Sequence, residues 1–297
     1  MSKPQTILVT GCTGQLGQSI QSLETDYPGY EFLFADRQQL DLSNETSIAN
    51  FFQHKTFRII INCAAYTSVD KAESESELAN QVNHLAVKQL AHIARESHTK
   101  LIHISTDYVF SGKNYRPYVE TDEVAPQGVY GKTKLQGDEA LQKILKTNAI
   151  IIRTSWVYSE YGNNFLKTML KLGQERDSLQ VIFDQIGTPT YAKDLAKAIM
   201  NIVQSEEFNQ LDFKTNILHF SNEGLCSWYD FAKTIFELTN IQCQVSPIET
   251  KDYPTPAARP HYSVLNKTKI KQTFNLSISY WVDSVEECLT TLHKKVS

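Results

Sequence analysis

The stretch LVTGCTGQLGQS, residues 8–19, sets Gly11, Gly14 and Gly17 at even spacing, directly after an apolar run and directly before residues able to open a helix. The run Thr6–Thr10 reads as a strand and Gln15–Leu23 as an amphipathic helix. In a strand, glycine loop and helix series, the missing side chains let the backbone approach a pyrophosphate. The helix start adds unpaired N–H groups and the positive end of the peptide dipole. A second apolar run, Glu31–Ala35, ends at Asp36, 19 residues after Gly17, where a carboxylate can accept hydrogen bonds from an adenosine ribose. A tight turn without a ligand accounts for one or two of these glycines. It does not account for the strand, the helix and the aspartate together. The G-x-x-G-x-x-G spacing departs from G-x-G-x-x-G and leaves the dinucleotide subtype open.

Outward from this loop, further strand candidates are Phe57–Cys63, Leu101–Ser105, Ala149–Arg153 and Leu179–Phe183, and helical stretches fall near Glu45–Phe52, Glu73–Arg95, Gly131–Leu145 and Ala192–Val203. This alternation predicts an α/β fold, a Rossmann-like, doubly wound, mostly parallel sheet with helices on both faces. After about Ser221 the texture changes. Pro247, Pro254, Pro256 and Pro260 crowd a segment that also carries Tyr253, Arg259, His261 and Tyr262, before a last amphipathic helix near Val282–His293. The expected division is a dinucleotide-binding domain over residues 1–153, with a further strand and helix from about 179–220, and a smaller C-terminal α/β substrate lobe from 154–178 and 221–297.

Composition narrows the function. A 297-residue chain with 41% hydrophobic and 21% charged residues has the makeup of a globular enzyme. A net charge of -4 argues against a general nucleic-acid binder, which needs a basic face to displace counterions. Five scattered cysteines without C-x-x-C spacing fit reduced thiols in a cytoplasm rather than a disulfide framework or zinc ribbon. No run of apolar residues is long enough to predict a membrane span.

The chemistry is carried by VYGKTKLQGDEAL, in which Tyr130 and Lys134 fall on one face of a helix. A phenol is a poor acid or base at neutral pH unless a nearby cation stabilises its phenolate, as Lys134 can. The same spacing recurs at Tyr229 and Lys233, but Phe231, Ile235 and Phe236 mark that helix as a packing element. Tyr130 is preferred because it follows LIHISTDYVFSG, an apolar strand whose C-terminal end delivers Ser105, Thr106 and Asp107 to the crevice where α/β sheets bind ligands.

Together, TGCTGQLG, NCAAYTSVDKAESE, STDYVFSG and YGKTKLQGDEAL resemble the extended short-chain dehydrogenase/reductases. RTSWVYSEYGNNFLKTML, DQIGTPTYAKDLA and YPTPAARPHYSVLN are similar to the dTDP-4-dehydrorhamnose reductase branch, so the resemblance runs through nearly the whole chain. It implies a reduction, by NADPH or also by NADH, of a 4-keto-6-deoxy sugar carried on dTDP; Asp36 favours a free ribose hydroxyl and Arg37 can pair with a 2′-phosphate, so the order of preference stays open. It places Gly11, Gly14, Gln15 and Leu16 at the pyrophosphate, Asp36 and Arg37 at the adenosine ribose, and Asp41 and Leu42 near the adenine. Ala64, Ala65, Tyr66 and Thr67 would line the nicotinamide side. Thr106, Tyr130 and Lys134 would be catalytic, with Thr106, Asp107, Trp156, Asn164 and Arg259 on the sugar nucleotide. Two departures stand out: Ala258 replaces a basic residue beside Arg259, and Ser19 replaces a glutamate that bridges dimers through magnesium in some relatives, so no structural metal is expected. The implied partner is a small sugar nucleotide, with neither nucleic acid nor membrane, for a cytoplasmic monomer or homodimer. Two other readings share these motifs: a dinucleotide-binding regulatory subunit like methionine adenosyltransferase β, and a nucleotide-sugar epimerase or dehydratase that retains its NAD.

Overall fold

The computed structural model describes residues 5–296. Six parallel strands form the central sheet: β1 Gln5–Thr10, β2 Tyr30–Ala35, β3 Ile59–Asn62, β4 Lys100–Thr106, β5 Ala149–Thr154 and, later in the chain, Asn216–His219. The last pairs with β5, and the spatial order from β2 runs β2, β1, β3, β4, β5 and Asn216–His219. The order reverses between β1 and β3, so the connections leaving their C-terminal ends turn to opposite faces of the sheet and leave a crevice between them.

Alternation along the strands divides the core. Ile7, Val9, Ile59, Ile61, Ile102, Ile150 and Ile152 face one side, where α1 (Gln15–Gln21) and the helix Ala192–Gln204 cover them. Leu8, Ile60, Leu101, Ala149 and Ile151 face the other, under α2 (Glu45–Phe52), α3 (Ala86–Glu96) and α4 (Val129–Ile144). Strands buried on both faces need continuous apolar runs, as Ile59–Ile61 and Ile150–Ile152 provide.

Two expectations are corrected. The strand read as Leu179–Phe183 does not extend the central sheet: Ser178–Ile182 pairs in parallel with Gln244–Ile248. Its Leu179 and Val181 join a separate core with Tyr158, Leu166, Phe231, Ile235, Val245, Trp281 and Val285. The period of two is satisfied by either sheet, and only the packing partner chooses. The strand that does complete the central sheet, Asn216–His219, reads NILH, polar at both ends, and offers no continuous apolar run. The helical stretch expected over Glu73–Arg95 begins at Ser76 and includes a π turn at Gln81–Leu85 before α3. The final helix spans Trp281–Val296.

Candidate active site

A cleft of about 950 Å³ lies at the C-terminal ends of β1, β3 and β4. Gly11, Gly14, Gln15, Leu16, Asp36, Arg37, Asp41, Leu42, Ala64, Ala65, Tyr66, Thr67, Thr106, Asp107, Tyr130, Lys134, Trp156 and Asn164 all line it. Of the expected site residues, only Arg259 is not in that lining. Tyr229 and Lys233 also lie outside it.

The glycine loop is built for close approach. Gly11 has φ +64°, and a Cβ there would lie 2.8 Å from the Ala64 backbone. A Cβ on Gly17 would fall 2.4 Å from Gly11 O, so the start of α1 packs on its own loop. At Gly14 it would meet only Gly11 O, at 3.2 Å, which leaves the rest of that space open to the cleft. This open cradle, in a cleft of this size, fits a dinucleotide pyrophosphate.

At the adenosine end, Asp36 Oδ1 accepts the backbone N–H groups of Gln38 and Gln39, each at 2.9 Å. Arg37, largely exposed, lies 3.4 Å from Asp41 and donates to Ser43 Oγ at 3.3 Å. The opposite wall depends on Asn83, a residue not singled out from the sequence. Asn83 Oδ1 accepts the Tyr66 N–H at 2.9 Å and its amide donates to Tyr66 O at 3.1 Å, fixing the Ala65–Thr67 segment. It sits in the π turn, a backbone feature that often marks functional sites and that only the folded chain shows.

Two glycines bring α4 close to its neighbours, Gly131 to the turn that follows β4 and Gly137 to the π turn. A Cβ at Gly131 would come 2.3 Å from Tyr108 O, and one at Gly137 would come 2.2 Å from Asn83 O. Tyr130, Lys134 and Asp138 therefore face the end of β4 in one stripe. Lys134, 1% exposed, donates to Ile104 O at 2.6 Å, and burial lowers its pKa to about 8 while Asp138 pulls the other way. Burial pushes Tyr130 up to about 12, and a hydrogen bond with Thr106 opposes that rise. Thr106 Oγ1 donates to Asp107 Oδ1 at 3.0 Å. Burial raises the Asp107 carboxyl to about 6, opposed by the hydroxyls of Ser263 and Thr106, which favour its charged form.

On the far wall, Trp156 (φ +47°) stacks on Trp228 with ring centroids 3.6 Å apart. Trp228 is a second cleft residue unmarked in the sequence reading; it and its neighbour Tyr229 both pack against the smaller core, but Tyr229 does not line the cleft. Gln15 ties the glycine loop to this wall: its amide donates to Val157 O at 3.2 Å, and its Oε1 accepts from Ser159 at 3.0 Å and Asn164 at 2.9 Å. Asn164 also caps the helix Phe165–Glu175. Arg259 is held on Asp70 at 2.7 Å, beside the segment Ser68–Val69 that lines the cleft.

A family model described as RmlD substrate binding domain matches residues 5–294. A dTDP-4-dehydrorhamnose reductase from Aggregatibacter actinomycetemcomitans is 44% identical over 282 residues, covering 93% of this chain and 95% of that protein. The chain belongs to the dTDP-4-dehydrorhamnose reductase family. A family structure from Clostridium acetobutylicum, 40% identical, superposes with a TM-score of 0.90 over 97% of this chain and 99% of the other. A Bacillus anthracis structure, 36% identical with a TM-score of 0.90 and covering 97% and 100% of the two chains, is a dTDP-4-dehydrorhamnose reductase in complex with NADP. As a member of this family the chain is an oxidoreductase of the Rossmann-like type. Ser19, where some family members were expected to carry a metal-bridging glutamate, is buried and donates to Gln15 O at 2.9 Å. Among the described residues no group of His, Cys, Asp and Glu is arranged to hold a metal, and no helix is long and apolar enough to cross a membrane.

Proposed function

We propose that the chain reduces the C4 ketone of dTDP-4-dehydro-L-rhamnose to dTDP-L-rhamnose in the cytoplasm, using NADPH, with NADH as a weaker second donor. The observation that carries this reading is the convergence of Thr106, Tyr130 and Lys134 in the cleft that also holds the glycine loop. The bound dinucleotide would supply the hydride for carbon. The protein must supply the proton for oxygen.

Tyr130 is the proton donor in this reading. Its phenol is held above its ordinary range by burial, which keeps the proton on it until a carbonyl oxygen gains negative charge. The Lys134 cation then favours the phenolate left behind, and Thr106, turning its one hydroxyl proton from Asp107, donates to the oxygen that carries the charge. Asp107, Trp156 and Asn164 would meet the sugar nucleotide, with Arg259, oriented by Asp70, meeting its diphosphate. We read the cofactor side as residues 5–153 with 192–204 and 216–219, and the sugar-nucleotide side as the segments around the smaller core.

The test follows oxidation of NADPH on the 4-keto sugar nucleotide. Tyr130→Phe keeps the ring, so turnover falls by ~10²–10⁴ while cofactor affinity stays. Near-normal turnover in this variant would remove Tyr130 from the role. A wild-type protein that binds NADPH but never oxidises it would favour the regulatory-subunit reading. Arg37 is proposed to hold the 2′-phosphate in its guanidinium fork, so Arg37→Ala weakens NADPH about tenfold or more and NADH little. Equal losses for the two cofactors would give Arg37 another task.

A further inference from the structure

Beneath the cleft, a row of buried polar groups runs from β1 to Lys134. The Ala64 N–H reaches Thr10 Oγ1 at 3.4 Å, and the Thr10 hydroxyl donates to Asn62 Oδ1 at 2.6 Å. With its oxygen occupied by Thr10, Asn62 turns its amide nitrogen to His103 Nδ1, 3.0 Å away. An amide nitrogen only donates, so Nδ1 accepts. A neutral imidazole that accepts at Nδ1 carries its proton on Nε2. His103 is 0% exposed, and burial, reinforced by the Lys134 charge, keeps the ring neutral. Its Nε2–H therefore faces Lys134 Nζ at 3.3 Å, with Asp138 Oδ1 at 3.9 Å. A donor aimed at an amine favours the free lone pair over the ammonium, which has only protons to present.

We propose that Thr10, Asn62 and His103 form a hydrogen-bond chain of fixed direction that positions Lys134 and lowers its affinity for a proton. His103 is thus a positioning residue for the Tyr130–Lys134 pair. The inference rests on the reductase reading for the task of Lys134, but not for the direction of the chain.

The other groups around Lys134 act as follows. Asp138, on the same helix, favours the ammonium. Its Oδ2 already accepts from Ser105 at 2.9 Å and from Arg153 of β5 at 3.4 Å, and its Oδ1 has no donor among the described residues. The Gln81–Leu85 turn presents uncharged Asn83 to neighbouring Thr133. Asp107, beyond β4, acts on Tyr130. His103 is therefore the group whose polarity decides between the two states of the amine. Near neutral pH the amine can then take up and release a proton beside Tyr130 instead of remaining a fixed charge.

The experiment titrates Lys134 by NMR in protein labelled with ¹³C at lysine Cε, using Lys134→Met to identify its signal. Thr10→Val preserves shape and removes the hydroxyl that orients Asn62. The amide can then offer its oxygen to Nδ1–H, and Nε2 becomes an acceptor for the ammonium. The Lys134 titration should move up by about one to two pH units, and the alkaline limb of the kcat profile should follow it. His103→Gln, which can turn its carbonyl to Lys134, should shift the titration the same way and serves if Thr10→Val folds poorly. A Lys134 titration that stays in place or falls in a folded variant overturns the proposal. Because the NMR arm uses no substrate, a wild-type protein without turnover would remove the reductase reading and leave this inference to the titration.

Discussion

Gly14 and Gly17 belong to one motif but answer to different forces. Gly17 serves packing, since a Cβ there would run into the backbone at Gly11 O and Cys12. Gly17→Ala should therefore cost stability, by about 1–3 kcal/mol. Gly14 has φ -76° and ψ 171°, which any residue can adopt, and faces open space beyond Gly11 O. Gly14→Val should fold with a nearly unchanged Tm and lose dinucleotide affinity by ~100-fold or more, because its methyls would stand where a pyrophosphate binds. Isothermal titration with NADPH checks this, and unchanged affinity in the folded variant would contradict it. The loop these glycines build was readable from strand, loop and helix order, whereas the packing task of Gly17 was not. Nor were Asn83 and Trp228, because their value lies in what they touch: the Tyr66 backbone and the Trp156 ring.

Elements and the loops between them bring Arg259 to its place. Asp70 Oδ1 accepts the Ala257 N–H at 3.1 Å while Oδ2 holds Arg259 at 2.7 Å, so one carboxylate pins the 257–259 segment beside the cleft. Both side chains are partly exposed, and such a pair contributes about 1 kcal/mol or less to stability. Its effect should appear in substrate affinity. Asp70→Ala should raise KM for the sugar nucleotide by about three- to tenfold with kcat within about twofold, and a double-mutant cycle with Arg259→Ala should be non-additive. Strict additivity would show that the two residues act separately. The sequence showed the proline-rich segment and its arginine, whereas the partner lies 189 positions away, a pairing that no local pattern reveals. The strand at Ser178–Ile182 makes the same point: its alternation was legible, but the sheet it joins was not.

For the molecule as a whole, burial of Asp107 sets activity against stability. Its carboxyl is raised from 3.8 to about 6, first by burial. Between those values the folded chain retains a proton that the unfolded chain has released. The contribution is thus favourable at low pH, is lost as pH rises through about 4 to 6, and stays lost above. At pH 7.5, Asp107→Asn should be more stable than wild type by up to about 3 kcal/mol, and the gap should close as pH falls toward 4. Turnover should drop, since the carboxylate lines the cleft and accepts the Thr106 hydroxyl. Thermal unfolding across pH checks both size and sign, and a gap that widens on acidification would refute the account.

Local chemistry was enough to establish the alternating α/β plan, the glycine loop and the Tyr130–Lys134 stripe, because helix and strand periods and backbone sterics act over a few residues. The direction of the Thr10–Asn62–His103 chain, the Asp70 clamp, the partner of the 178–182 strand and the burial of Asp107 depended on the folded chain. Hydrogen-bond direction, desolvation and strand pairing are set by groups distant in sequence. They become defined only when the sheet closes around them.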